Sequence, residues 1–311
     1  MFFSASLLGY ALLLLASTVF AAPTSRLDGG IARRVGRNLL THFSPTDVVS
    51  ENLLSARNGG GGGSSSSSSK TSKTSTVTAT STSTSSPPSS TNPAVLSSNI
   101  WAGVGMESPA NTYRSVTGTL VVPHLQPATG GAIEGFYGGS AWVGLDGMTC
   151  QTGSMATGIQ FIYLNQSILA NSWTEVAPNS AVTMSSMTVN AGDTVKLTLT
   201  ATSTTTGTAV VENLSNGQSS TVGLTSPSPL CLANAEWIVE DFQEGTFLMP
   251  FANFGSITFT DASATTQSGS TVGPSGSGSH LINIVQSDIQ FTSASRTASS
   301  VTVDYLTSIP F

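Results

Sequence analysis

From Asn99 to the C-terminus the chain consists of short runs rich in Val, Ile, Thr and aromatic residues, each interrupted by Gly, Asn, Asp or Pro. No window carries an amphipathic helical period. The runs at 113–122, 141–145, 158–164, 181–189, 194–201, 208–214, 236–242, 256–260, 281–286 and 299–305 read as strands. Asn-Ala-Gly-Asp at 190–193 and Ser-Asn-Gly-Gln at 215–218 read as hairpin turns, because Asn and Gly tolerate positive φ. Ten or more strands with no helices to cover them must bury their apolar faces on one another. The prediction is an all-β fold, a two-sheet antiparallel β-sandwich.

The first third of the chain differs in kind. Residues 1–21 read as a secretory signal peptide: an apolar run from Leu7 to Phe20 ends in Val19-Phe20-Ala21 and is too short to span a bilayer. Residues 22–57 are basic, contain the pair Arg33-Arg34, and read as a propeptide attracted by charge to the acidic remainder. Residues 58–95 pass through Gly59–Gly63 and Ser64–Ser69 into alternating Ser and Thr. Such a composition cannot bury a core and reads as a disordered linker, which leaves 96–311 as the folding domain.

Beyond residue 96 the chain has three Lys or Arg against thirteen Asp or Glu, a net charge of −10. So acidic a surface excludes nucleic acid as a partner, since phosphate binding needs clustered cations. It also has few ion pairs to lose in acid. No stretch after the signal is apolar enough to cross a membrane, so the mature molecule is expected to be extracellular, without a membrane partner, and monomeric. Asn165-Gln166-Ser167 and Asn213-Leu214-Ser215 are glycosylation sequons, in keeping with export.

Two stretches gather the residues with chemistry. Ser140–Gly158 holds Trp142, an acid in a tight turn (Asp146) and Cys150; Cys231–Phe242 holds the second cysteine and a carboxylate-rich strand. The cysteine pair of an exported domain is most simply one disulfide, Cys150 to Cys231, and closing a loop of about 80 residues stabilises by about 4 kcal/mol in the chain-entropy model. No metal or cofactor is expected: there is no Cys-x-x-Cys, and His42, His124 and His280 are scattered and read as surface or loop residues. Alternation along 235–242 puts Glu236, Ile238, Glu240 and Phe242 on one face, opposite Ala235, Trp237, Val239 and Asp241. Glu240 then stands between apolar neighbours, where a desolvated carboxyl serves as general base or acid; the plain alternative is a surface acid on a twisted edge strand. Glu175 and Asp146 are further candidates.

Taken in order, these segments resemble the fungal glutamic peptidases, or eqolisins, a family of secreted acid endopeptidases. The resemblance runs from about Ser98 to the C-terminus through SNIWAG (98–103), VVPH (121–124), SAWVGLDGMTCQTG (140–153), SWTEVAP (172–178), TAVVENLSNGQ (208–218), NAEWIVEDF (234–242) and FANFGSITFTDA (251–262). The first motif departs from the family in an extra Ile100 between Asn and Trp. The resemblance implies two packed, bent sheets of the concanavalin-like jelly-roll kind, a groove on a concave face, a polypeptide substrate or ligand, and the chain's own basic propeptide as a partner. It places the water-activating glutamate at Glu240 and puts Trp142, Asp146, Glu175 and Glu236 among the groove or supporting positions. The glutamine that assists this glutamate belongs after the first cysteine, in a pattern like CQTxxxQTG. Here that segment reads Cys150-Gln151-Thr152-Gly153-Ser154-Met155-Ala156-Thr157-Gly158, so the position holds Ala156. Asn171 likewise stands where the family has an acid.

An alanine cannot donate to an oxyanion, and losing one such donor costs about 100- to 1000-fold in rate. Gln151 is expected to face away from Ala156 and Gln160 to lie about 13 Å along the strand, which leaves the shorter Ser154 as the near hydroxyl on the same face. Three functions follow. One is an acid endopeptidase with Glu240 as base and altered oxyanion support. The second is a pseudopeptidase that binds polypeptide or cell-wall polysaccharide without cutting. The third, glycoside hydrolysis by Glu236 and Glu240, is disfavoured by their separation of about 13 Å.

Overall fold

The computed structural model describes residues 95–244 and 247–306. The expected signal peptide, propeptide and most of the linker lie outside the described residues. Among the described residues there is no helix, and the strands form two large sheets. The first runs, edge to edge, through Val95–Ser98, Ser279–Gln286, Trp101–Glu107, Asn234–Glu240, Phe136–Leu145, Ser154–Leu164, Ser167–Ala177 and Val182–Thr183. The second runs through Gln218–Thr225, Thr206–Asn213, Thr194–Ala201, Tyr113–Val121, Ser256–Thr266, Val301–Tyr305 and Thr292–Arg296. Pairing is antiparallel except at the first edge, where Val95–Ser98 runs parallel to Ser279–Gln286. The predicted two-sheet sandwich is the observed fold.

One core fills the space between the sheets. Ala235, Trp237 and Val239 of one strand, Val143 and Leu145 of its neighbour, and Ile159 and Phe161 of the next meet Val116, Leu197, Leu199 and Phe259 of the second sheet. Trp237 also bridges the layers by a hydrogen bond, its Nε1 donating to the carbonyl of Thr117 at 2.8 Å. The predicted alternation along 235–240 therefore holds: the odd-numbered residues face the core, and Glu236, Ile238 and Glu240 face the other way. The strand ends at Glu240, so Asp241 and Phe242 lie beyond the ladder.

Between 181 and 193 sequence and structure differ because the chain crosses between the sheets. The run 181–189 supplies only the two-residue strand Val182–Thr183, because the chain then leaves the first sheet for the second. The turn at 190–193 is thus a crossover and not a hairpin, although Gly192 does take φ +87°. The 215–218 turn is a true hairpin, closing Thr206–Asn213 on Gln218–Thr225 with Gly217 at φ +74°. Ser256–Thr266 is longer than expected because a bulge between Thr260 and Ser263 carries it past Asp261. The Asn213 sequon is closed to modification in this fold: the side chain is buried, and its Nδ2 donates to the carbonyl of Thr188 and to Asp193 Oδ2. Asn165 stands exposed in the turn between Ser154–Leu164 and Ser167–Ala177.

Candidate active site

The Asn234–Glu240 strand lies in the middle of the first sheet, between Trp101–Glu107 and Phe136–Leu145. Its register is locked at one end by several bonds. Cys150 and Cys231 are joined, with Cα atoms 5.9 Å apart. Asp146, wholly buried just past the Phe136–Leu145 strand, accepts the backbone N–H groups of Leu232 (2.7 Å), Ala233 (2.8 Å) and Asn234 (3.1 Å). Asn234 Oδ1 in turn accepts the backbone N–H of Thr149 and of Cys150. The exit of one strand is thereby fixed to the entry of the other. A one-residue slip, which would turn Glu240 into the core, is excluded.

Directly paired residues of neighbouring strands share a face, so the register defines three rows on the side turned away from the second sheet. The first row is Glu236, Gly144, Ala156 and Glu175; the second is Ile238, Trp142, Gly158 and Trp173; the third is Glu240, Ser140, Gln160 and Asn171. The glycines make room for the aromatic in the middle. A Cβ on Gly158 would come within 2.5 Å of Trp142 Cβ, and one on Gly144 within 2.7 Å of the Trp142 ring and 3.0 Å of Glu236 Oε2.

This face is buried. Trp101, Trp142 and Trp173 are inaccessible, Glu236 is 1% exposed, Glu240 2% and Glu175 3%. Trp142 Nε1 donates to Glu240 Oε2 at 2.6 Å, and the edge of Trp142 meets Trp101, with ring centroids 5.3 Å apart and planes at 78°. Trp101 is itself the cross-strand neighbour of Glu240 on the other flank. Trp173 Nε1 donates to Ser140 Oγ, which donates to the carbonyl of Ile159. An indole N–H aimed at a carboxylate fixes that carboxylate in one orientation, and in a dry site the bond is stronger than in water.

The structure thus brings together Glu240, Trp142, Glu236, Glu175 and the Ala156 position on one sheet face. Asp146 stands apart from the three rows, where burial raises its pKa and backbone hydrogen bonds oppose the rise. Its carboxylate, with Cys150 and Cys231, forms a compact group of metal-ligand types, but both sulfurs are spent in the disulfide. Ser154 begins its strand on the Ala156 face, whereas Gln151 is exposed in the preceding loop. His124 is exposed as expected; His280 is half-buried on a strand, two strands from Glu236 with Gly105 between, and is not a loop residue.

Sequence reasoning missed the row of Gln160. Alternation gives its face, but only the pairing of Ser140 with both Glu240 and Gln160 shows that it shares a row with the carboxylate. Trp101, Trp173 and Ser140 were missed for the same reason.

Comparison with known proteins points the same way. The model of the peptidase A4 family matches residues 99–305. Aspergillopepsin-2 of Aspergillus niger is 41% identical over 226 residues, covering 67% of this chain and 78% of that protein. A crystal structure of scytalido-glutamic peptidase with a transition state analog inhibitor superposes with a TM-score of 0.59 at 30% identity, over 67% of this chain and 98% of that one. SCP-B, described as a member of the eqolisin family in complex with the tripeptide Ala-Ile-His, gives a TM-score of 0.55 at 29% identity over the same shares. The matched region takes in both sheets, the disulfide and all three rows of the buried face: the chain belongs to the peptidase A4 family, the eqolisins or glutamic peptidases.

Proposed function

We propose that the protein is an exported acid endopeptidase in which Glu240 activates water against a peptide carbonyl. The observation that carries this reading is the buried carboxylate of Glu240 held at 2.6 Å by the Trp142 indole. The relatives whose structures hold a transition state analog inhibitor or a tripeptide support a peptide as the ligand of the same face. Export is supported by the apolar N-terminus and by the disulfide, and the basic segment 22–57 fits a propeptide for so acidic a domain.

The chemistry needs no covalent intermediate. Glu240 takes a proton from water as the water oxygen adds to the carbonyl carbon, and the C=O π pair moves onto the carbonyl oxygen. The proton held by Glu240 then passes to the peptide nitrogen as the C–N bond breaks, releasing a carboxylic acid and an amine and restoring the carboxylate. Trp142 orients the base, and the dry surroundings strengthen each hydrogen bond to the developing charge. Ala156 supplies no side-chain donor, and this speaks for a binding protein without activity; the family's peptidase function outweighs it.

The test is digestion of an unfolded protein by the full chain at about pH 3 to 4, where carboxyl groups are partly ionised. The wild-type chain cuts, and Glu240→Gln, which cannot accept the proton, does not. Equal cutting by Glu240→Gln would remove Glu240 from the role of base.

A further inference from the structure

We propose that Gln160 supplies the amide that position 156 lacks, holding the carbonyl of the scissile peptide beside Glu240. This rests on the peptidase reading above and assigns a second catalytic residue to it. Gln160 is wholly buried, yet neither its Nε2 nor its Oε1 has a hydrogen-bond partner. Because both ends are unpaired, exchanging the amide nitrogen and oxygen changes nothing. A buried primary amide with both its donor and its acceptor unmet is costly to keep, and folded proteins keep few of them. In the next strand of the same row, Asn171 Oδ1 is also buried without a partner.

Position gives the amide its use. Glu240, Ser140 and Gln160 are direct cross-strand partners, so Gln160 lies two strands from Glu240, with Cα atoms about 10 Å apart. Ala156 is also two strands away but four residues further along, about 16 Å in a flat sheet. Side chains in one row stand side by side. Glu240 and Gln160 flank Ser140 in this row, so a peptide group lying along the row over Ser140 would meet the carboxylate on one side and the amide on the other, at hydrogen-bond distances of about 3 Å. A primary amide offers N–H and C=O together, the complement of a peptide bond, and it carries no charge that would neutralise the base. As water adds under Glu240, the Nε2–H of Gln160 donates to the carbonyl oxygen that gains the electron pair. The proton balance is unaltered, since Gln160 transfers nothing.

The test compares the full wild-type chain with Gln160→Met, which keeps length and apolar bulk without an amide, and with Glu240→Gln, in acid digestion of an unfolded protein. Gln160→Met is expected to lose about 100- to 1000-fold in kcat/KM, chiefly in kcat, with a melting temperature equal to or above wild type. If Glu240→Gln is inactive while Gln160→Met stays within about threefold of wild type, the role of Gln160 is overturned and the peptidase reading stands. If Glu240→Gln cuts like wild type, the Glu240 reading falls and this proposal falls with it. If wild type cuts nothing, binding of a peptide-based transition-state analogue by calorimetry decides. Binding at least about tenfold weaker in Gln160→Met supports the contact, and equal binding, or none by either chain, overturns it.

Discussion

The two sheets of this sandwich follow opposite burial rules. In the second sheet, Thr194–Ala201 and Thr206–Asn213 alternate strictly between half-buried and buried, one face in the core and one toward water. Its outer face is a ladder of small hydroxyls that satisfy one another across strands, as Thr117 and Thr198 do at 3.0 Å and Ser115 and Thr200 at 3.1 Å. In the first sheet, Asn234–Glu240 is buried at every residue and Phe136–Leu145 at all but its first. Its outer face carries tryptophans, three carboxylates and an unpaired amide, groups that lose hydration when enclosed. A fold does not need such a face, as the second sheet demonstrates within the same molecule. The cost is concentrated on the face that the proposed chemistry uses.

That contrast can be broken in graded ways. Replacing both cysteines by alanine removes the link between the Trp142 and Glu240 strands and is expected to cost about 4 kcal/mol, read by chemical denaturation, with activity lost in proportion to unfolding. Trp142→Phe keeps an aromatic ring but removes the donor to Glu240; a charge-assisted bond of this kind contributes about 1.5–3 kcal/mol, so kcat/KM should fall by roughly 10- to 100-fold, and the melting temperature should fall too because a fully buried side chain is shortened.

A pH series sharpens the comparison further. Burial raises the carboxyl of Asp241 well above 3.8, against a hydrogen bond from Gln286 and with help from the Glu240 charge; burial also raises Asp146. For a group whose folded pKa exceeds its unfolded one, the stabilisation is complete below the unfolded value and is lost as pH rises through the folded value. The melting temperature should therefore fall from acid toward neutral pH, and Asp241→Asn should flatten that fall. A rise in stability toward neutral pH would contradict the assignment. The smallest effect is expected on the second sheet, where Lys196 and Glu212 form an exposed pair at 3.4 Å: Lys196→Ala should change stability by less than about 1 kcal/mol and leave proteolysis unchanged.

Alternation made much of the second sheet legible, and 194–201 is found with the expected bounds, although Gln218–Thr225 and Thr292–Arg296 were not anticipated. The first sheet was less so. Trp101–Glu107 buries apolar and small residues on both faces, and Ser167–Ala177 is buried only over the consecutive residues Ser172–Glu175, so no period-2 signal marks either. At the site, the face of Glu240 followed from alternation alone, whereas Ala156 was singled out only by the motif resemblance. The neighbours of Glu240 did not follow, because Trp101 and Ser140 pair with it, and Gln160 joins its row beyond Ser140, only through register. Register here is set by a disulfide, by Asp146 and by Asn234 at the far end of the strand. Period-2 reasoning places a residue on a face but not in a row.

The central claim is that, of the two carboxylates facing outward from the Asn234–Glu240 strand, Glu240 is the base and Glu236 a supporting group two rows away. Measuring kcat/KM for acid cleavage of one peptide by wild type, Glu240→Gln and Glu236→Gln tests it directly. The expected result is a loss of roughly 10⁴-fold in Glu240→Gln and a loss at least tenfold smaller, on the order of 10- to 1000-fold, in Glu236→Gln. The reverse order, with Glu236→Gln inactive and Glu240→Gln near wild type, would contradict the account.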